Sequence, residues 1–263
     1  MDNIPFFAEH GQLSFRWIHF IAGVLWIGVL YFFNWINGAF AATMDAETKK
    51  KVVPELMPRA LYWFRWGAAW TWITGVILMF LLYYMHTGNF FAPGSEYSGE
   101  KPSAAQWGIP FAILIIGFIA YDQIFKNLPH TAGVLLWGGI AVGFAALMHH
   151  QLDMSGRAVY IHVAAMFGTA MAANVWMRIW PAQQRIITAI KNGQAPDGAD
   201  PAIAGQRSKH NTYMSFSLLL FMIGTGQTAL SGANPVIWVP VSLGIGWIGC
   251  FLCYKKVPGV KGF

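Results

Sequence analysis

The chain has 263 residues, of which 56% are hydrophobic and only 11% charged, with a formal net charge of +6. So small a charged fraction cannot solvate a globular body of this length, which excludes a soluble enzyme and makes lipid the expected solvent. The excess of Lys and Arg falls in short connections between apolar runs, a placement that reads as membrane orientation and not as a nucleic-acid footprint.

Seven apolar stretches follow in chain order, roughly 13–40, 61–85, 107–125, 131–148, 158–181, 213–230 and 236–254. Each meets the ~17 to 25 residues that a spanning helix needs. The expected fold class is therefore all-α, a polytopic membrane helix bundle of about seven transmembrane helices, with 1–263 forming one domain. The first run follows the acidic start Met1-Asp2 through Glu9 with no small-residue cleavage site, so it is expected to stay as a helix. In the second, Trp63-Phe64-Arg65-Trp66 with Trp70 and Trp72 reads as an interfacial anchor. Asp122 closes the third near Lys126, where an acid is expected to be solvated or paired. Gly139 with Gly143 in the fourth, and Gly168 with Ala172 in the fifth, have the spacing of close helix approach. Asn174 and Gln227 read as buried polar links between helices. Thr43 to Pro58 and Gln183 to Lys209 are polar and read as connections, the second holding the turn-forming run Ala195-Pro196-Asp197-Gly198. Cys250 and Cys253 end the last run, where no disulfide is expected. Tyr254 stands where a covalent haem site would need His, so the pair reads as packing.

Counting cations gives the orientation. Lys49, Lys50, Lys51, Arg59, Arg65, Lys126, Arg178, Arg185, Lys191, Arg207, Lys209, Lys255, Lys256 and Lys261 fall on one side, and Arg16, Lys101 and Arg157 on the other. The positive-inside rule puts the larger set in the cytoplasm, with the N-terminus outside and the C-terminus inside.

With that orientation, rise per residue gives each histidine a depth. His19 lies about two turns into the first helix from outside, and His162 at a similar depth in the fifth. His86, His149 and His150 end the second and fourth helices on the same side, with His10 beyond them. His130 and His210 lie toward the cytoplasm. An imidazole in hydrocarbon needs a partner, a metal or water, so His19 and His162 are candidate metal ligands. Axial ligation of haem iron fits best, with haem b as the expected cofactor and His86, His149 and His150 as further candidates around it. Gly23 and Ala165 would leave room for a macrocycle, and Arg16 and Arg157 would meet its propionates. Copper or zinc would need three converging imidazoles and is the weaker match. Each of these residues also has a plain structural reading: helix-end histidines bonded to backbone, and arginines snorkelling to headgroups.

The run from His19-Phe20-Ile21-Ala22-Gly23-Val24-Leu25-Trp26-Ile27-Gly28 to Phe33-Asn34 resembles the membrane domain of the bacterial urate hydroxylase (membrane-bound urate oxidase) family. So do Arg59 to Trp72 and the segment from His162 through Gly168-Thr169 and Asn174 to Pro181. The resemblance implies a redox protein of the bacterial inner membrane, with urate as substrate and electrons leaving toward a periplasmic cytochrome c. Members of that family are similar in carrying a cytochrome c domain after the bundle. This sequence has no Cys-x-x-Cys-His, so a separate c-type cytochrome or a larger membrane complex is the expected partner. The competing class is a non-catalytic accessory subunit or a small-solute transporter, in which the histidines would be interhelical polar contacts.

Overall fold

Inside a bilayer no water satisfies backbone amides, so an apolar chain closes its hydrogen bonds within helices. The computed structural model, which describes residues 3–85 and 87–262, follows that rule: among the described residues there is no strand, only an isolated bridge between Phe91 and Met154. The helices are α1 (Asn3–Tyr31), α2 (Gly38–Thr43), α3 (Ala46–Met79), α4 (Thr87–Phe90), α5 (Ala104–Asn127), α6 (His130–His150), α7 (Gly156–Asn174), α8 (Trp180–Lys191), α9 (Ala199–Gly224), α10 (Thr228–Ser231) and α11 (Pro235–Lys256). Three π-helical turns, Phe32–Asn37, Phe80–Tyr84 and Val175–Ile179, are inserted after α1, α3 and α7. Two of them join α1 to α2 and α7 to α8 without a break in the helix.

Among the described residues six helical runs are long and apolar enough to cross a membrane: His10–Thr43, Ala46–Tyr84, Ala104–Asn127, His130–His150, Gly156–Lys191 and Pro235–Gly259. The chain is an all-α membrane protein. The seventh expected stretch, 213–230, is the C-terminal half of α9, whose first half carries Asp200, Arg207, Lys209 and His210. That helix stops earlier than expected, because Gly224-Thr225-Gly226 turns the chain. Gln227 is consequently exposed at the start of α10 and is not the buried helix link expected of it.

Two connections expected from their polarity are helical instead. Residues 46–58 open α3, where Asp45 accepts from the Thr48 amide at 2.7 Å and supplies the cap. Residues 183–191 continue α8, so the true connection shrinks to 192–198. Polarity on one face of a helix looks like a loop when charge alone is read.

The helices gather into two compact units, residues 1–74, 171–214 and 249–263 in one, and 75–170 and 215–248 in the other. α3, α7, α9 and α11 each supply a segment to both. Of the fourteen cations assigned to the cytoplasm, all but Lys126 fall in the first unit.

Hydrophobic burial gives little drive between helices in lipid, so close packing and hydrogen bonds carry association. In the first unit Gly67 is the contact point: a Cβ there would lie 3.2 Å from the Trp26 amide nitrogen and 3.3 Å from the Ala22 carbonyl oxygen, so the backbones of α1 and α3 touch. On α1 that face carries buried Ala22, Trp26, Ile27 and Leu30, while Leu13, Trp17, Phe20 and Val24 form an exposed stripe. Asn174 donates to Asn211 at 2.9 Å, and Asn211 donates to the Met171 carbonyl at 3.0 Å, an amide ladder between α7 and α9. Asn34, on the first π turn, donates to Ser208 at 2.8 Å and accepts from the Tyr254 hydroxyl at 2.9 Å. The Arg65 guanidinium lies 3.6 Å over Trp180 and 5.4 Å from Trp176. Phe64 is buried while Trp63, Trp66, Trp70 and Trp72 are exposed.

In the second unit the spaced glycines of α6 are not the contact points expected. Nothing lies within 4 Å of a Cβ at Gly139 or Gly143, both exposed. Close approach falls instead to Gly246 against Ser217, Gly156 against the Ser231 carbonyl, and Gly133 against the Phe125 ring. Asp122 is only 6% exposed, so of its two expected fates, solvated or paired, solvation does not hold. It lies on the buried face of α5 that also carries Leu114, Gly117, Tyr121 and Phe125, at helical spacing.

Candidate functional site

His162 sits on α7 in the second unit and is wholly buried. Its Nδ1 lies 2.7 Å from the Ala158 carbonyl oxygen one turn back. A carbonyl can only accept, so Nδ1 carries the proton and Nε2 carries the lone pair. That lone pair accepts from the Tyr84 hydroxyl at 2.5 Å. Tyr84 is the last residue of the π turn Phe80–Tyr84, which the Met85 amide closes by donating to the Phe80 carbonyl at 2.9 Å. π turns recur at functional sites, and this one sets two adjacent tyrosines beside one imidazole. The Tyr83 and Tyr84 ring centroids lie 6.2 and 5.6 Å from that of His162, both at 78°. Phe80, Phe90 and Trp107 in turn pack on Tyr84.

His19 sits on α1 in the first unit and is half-buried. Its Nδ1 lies 3.2 Å from Thr74 Oγ1, whose own hydroxyl donates to the Trp70 carbonyl at 2.6 Å. With its proton committed there, Thr74 accepts from Nδ1–H, and the Thr71 carbonyl stands beside the same ring. His19 therefore shares with His162 the tautomer that leaves Nε2 as the basic nitrogen. Next to it, the space expected above Gly23 is bounded by the Thr71 methyl, 3.8 Å from where a Cβ would stand.

His149 is half-buried with Nδ1 3.4 Å from the Met154 carbonyl, and His150 is exposed, its ring 4.9 Å from that of His149. Arg16 is exposed. Arg157 donates from Nε to the Thr225 carbonyl at 2.8 Å and from Nη1 to Asn89 Oδ1 at 3.2 Å. Asn89 is fixed in turn by its own donation to the Leu82 carbonyl at 3.0 Å, and its carbonyl accepts from Ser155 at 2.8 Å. Arg157 thus ties the end of α9 to the segment after α3. His86 lies outside the described residues. Among the described residues no three His, Cys, Asp or Glu side chains form a group able to hold a metal ion. Cys250 and Cys253 are both free thiols, Cys250 buried.

Sequence reasoning missed Tyr84, Thr74 and Asn89, the partners of His162, His19 and Arg157. Tyr84 had a visible signal, a tyrosine two residues before His86 at the same outer depth as the histidines. Thr74 had none, since a lone threonine inside an apolar run more often bonds its own helix.

Each of the two imidazoles, within its own unit, has Nδ1 held by a neighbour and Nε2 as its basic nitrogen. The urate oxidase N-terminal family model matches residues 5–252, nearly the whole chain, including the helices that carry His19 and His162. No curated protein and no solved structure matches. On a match of that extent, the chain belongs to the urate oxidase N-terminal family.

Proposed function

We propose that this chain is the membrane redox module of a urate-oxidising system, seated in the bacterial inner membrane with its N-terminus outside. In this reading it carries electrons toward a periplasmic c-type cytochrome. Family membership ties it to urate oxidation. Haem b is the proposed carrier, supplying one-electron chemistry within the low-dielectric bundle.

The observation that carries the reading is the fixed tautomer of His162. A wholly buried imidazole whose Nδ1–H is held by the Ala158 carbonyl presents Nε2 as a donor atom, as the outer partners of metal-bound histidines do. His19, pinned at Nδ1 by Thr74, meets the same test. Taken singly, each imidazole has the tautomer that an iron ligand needs, and in His162 the Tyr84 hydroxyl occupies the nitrogen that would bind. The aromatic rings beside Tyr84 would exclude water from that nitrogen.

A second reading, that of a non-catalytic accessory subunit, is favoured by one observation: both imidazoles already bond to side chains, Thr74 and Tyr84. A reduced-minus-oxidised absorption spectrum of the purified protein separates the two. The redox reading expects a haem b difference spectrum that is lost in His19→Ala or His162→Ala, and a flat Soret region would leave the accessory reading standing.

A further inference from the structure

Arg65 lies within the aromatic run of α3, in the first unit, and is half-buried. Its guanidinium is held in place: Cζ lies 3.6 Å from the centre of the Trp180 ring and 5.4 Å from that of Trp176, and Nε donates to the Leu61 carbonyl at 3.3 Å. Trp176 is fixed in turn, its Nε1 donating to the Arg65 carbonyl at 3.2 Å. Trp176 belongs to the π turn Val175–Ile179 and Trp180 opens α8, so two rings four residues apart reach one guanidinium.

A guanidinium carries five N–H donors, all in its own plane, so stacking on a ring consumes none of them. One is spent on Leu61, and among the described residues nothing accepts from the four on Nη1 and Nη2. A fork of donors fixed in this way fits a phosphate bidentately, with its side-chain entropy lost before any ligand arrives. An arginine that only snorkels to the headgroups keeps that freedom.

Next to the fork the surface is apolar. Trp66 packs edge-on against Trp176, with ring centroids 5.6 Å apart. Trp66, Trp70 and Ile73 are exposed at helical spacing, a stripe that runs about 10 Å along α3 from the level of Arg65. Interfacial belts keep their rings at headgroup level, so a stripe of that length exceeds what an anchor needs.

We propose that Arg65, held flat on Trp180, is a binding site for the phosphate of an anionic phospholipid, whose acyl chain lies along the Trp66–Trp70–Ile73 stripe. The excess of cations in the first unit favours a headgroup that is anionic over one carrying its own ammonium group, which would meet like charge. The site goes beyond the redox reading and stands whether or not the chain carries haem.

The test titrates phosphatidylglycerol or phosphatidylcholine into the delipidated, detergent-solubilised full chain and counts retained lipid by native mass spectrometry. Wild type should retain one phosphatidylglycerol in preference to phosphatidylcholine. Arg65→Lys keeps the charge but loses the planar fork, and Trp180→Leu keeps the fork but loses the ring that holds it. Each should weaken phosphatidylglycerol binding about tenfold, the loss of one charge-assisted hydrogen bond. Arg59→Ala, which removes an exposed cation of the same helix already paired with Glu55, should leave binding unchanged. Equal retention of the two lipids, wild-type binding by both Arg65→Lys and Trp180→Leu, or an equal loss in Arg59→Ala overturns the site. Displacement of the lipid by inorganic phosphate also overturns it, because the stripe would then contribute nothing.

Discussion

Gly246→Ala probes the packing of α9 on α11 at its tightest point. A Cβ at Gly246 would collide with Ser217 Oγ, and would lie 2.8 Å from the Ser217 amide nitrogen and 3.0 Å from its Cα. The side-chain oxygen can rotate away, but the two backbone atoms cannot. Relief requires the helices to separate by somewhat under 1 Å, which places the substitution among overpacking changes that cost about 1–3 kcal/mol. Alanine also favours the helix over glycine by roughly 0.8–1 kcal/mol, which offsets part of that loss. Gly244→Ala, two residues earlier on the same helix, isolates this second effect, because nothing lies within 4 Å of its Cβ. Stability in mild detergent, read by SDS titration or thermal melting, should fall for Gly246→Ala and hold or rise for Gly244→Ala. Equal stability of the two variants would refute the claim that backbone contact at Gly246 sets the α9–α11 distance.

Asn211→Leu removes both rungs of the amide ladder to Asn174 and Met171. Interhelical hydrogen bonds in lipid average ~0.6 kcal/mol and reach ~1.7, so a loss of about 1–3 kcal/mol is expected in the same titration, and an unchanged midpoint would contradict it. Asp200 accepts from Arg185 Nη2 at 2.6 Å and from Nε at 3.0 Å, and this guanidinium holds its carboxyl below the ordinary value of 3.8. A lowered folded-state value means the contact stabilises the protein above that ordinary value and fades as pH drops through the lowered one. Wild type should therefore outlast Asp200→Asn near neutral pH and lose that margin in acid, and a margin that persists in strong acid would sink the assignment. Arg157→Met cuts the ties to Thr225 and Asn89 and should expose the 92–103 connection to limited proteolysis, while an unchanged digestion pattern would show that the clamp is dispensable.

The membrane class was legible because it is a bulk property: apolar runs of spanning length have no soluble alternative. The polar ends of α3, α8 and α9 were not, since charge on one face of a helix reads like a loop when periodicity is weak. For Asp122 the sequence left solvation and pairing open, because position along the helix does not say that it shares the buried face of α5 with Tyr121 and Phe125. Small residues at four-residue spacing pointed to α6, yet Gly139 and Gly143 face open space, and contact falls to Gly67 and Gly246. Spacing says that close approach is possible, and only the partner helix decides whether it happens. At the site, the chemistry-bearing residue types His19 and His162 stood out, but Thr74 came from another helix, and Tyr84 from a π turn that no local pattern announces.

The most direct measurement is the haem b content per chain of the purified protein, by pyridine haemochrome, in wild type, His150→Ala and His162→Ala. The exposed His150 should be dispensable, so wild type and His150→Ala should both carry haem while His162→Ala loses it. Haem retained in full by His162→Ala, or absent from all three proteins, would contradict a ligand role for the buried imidazole.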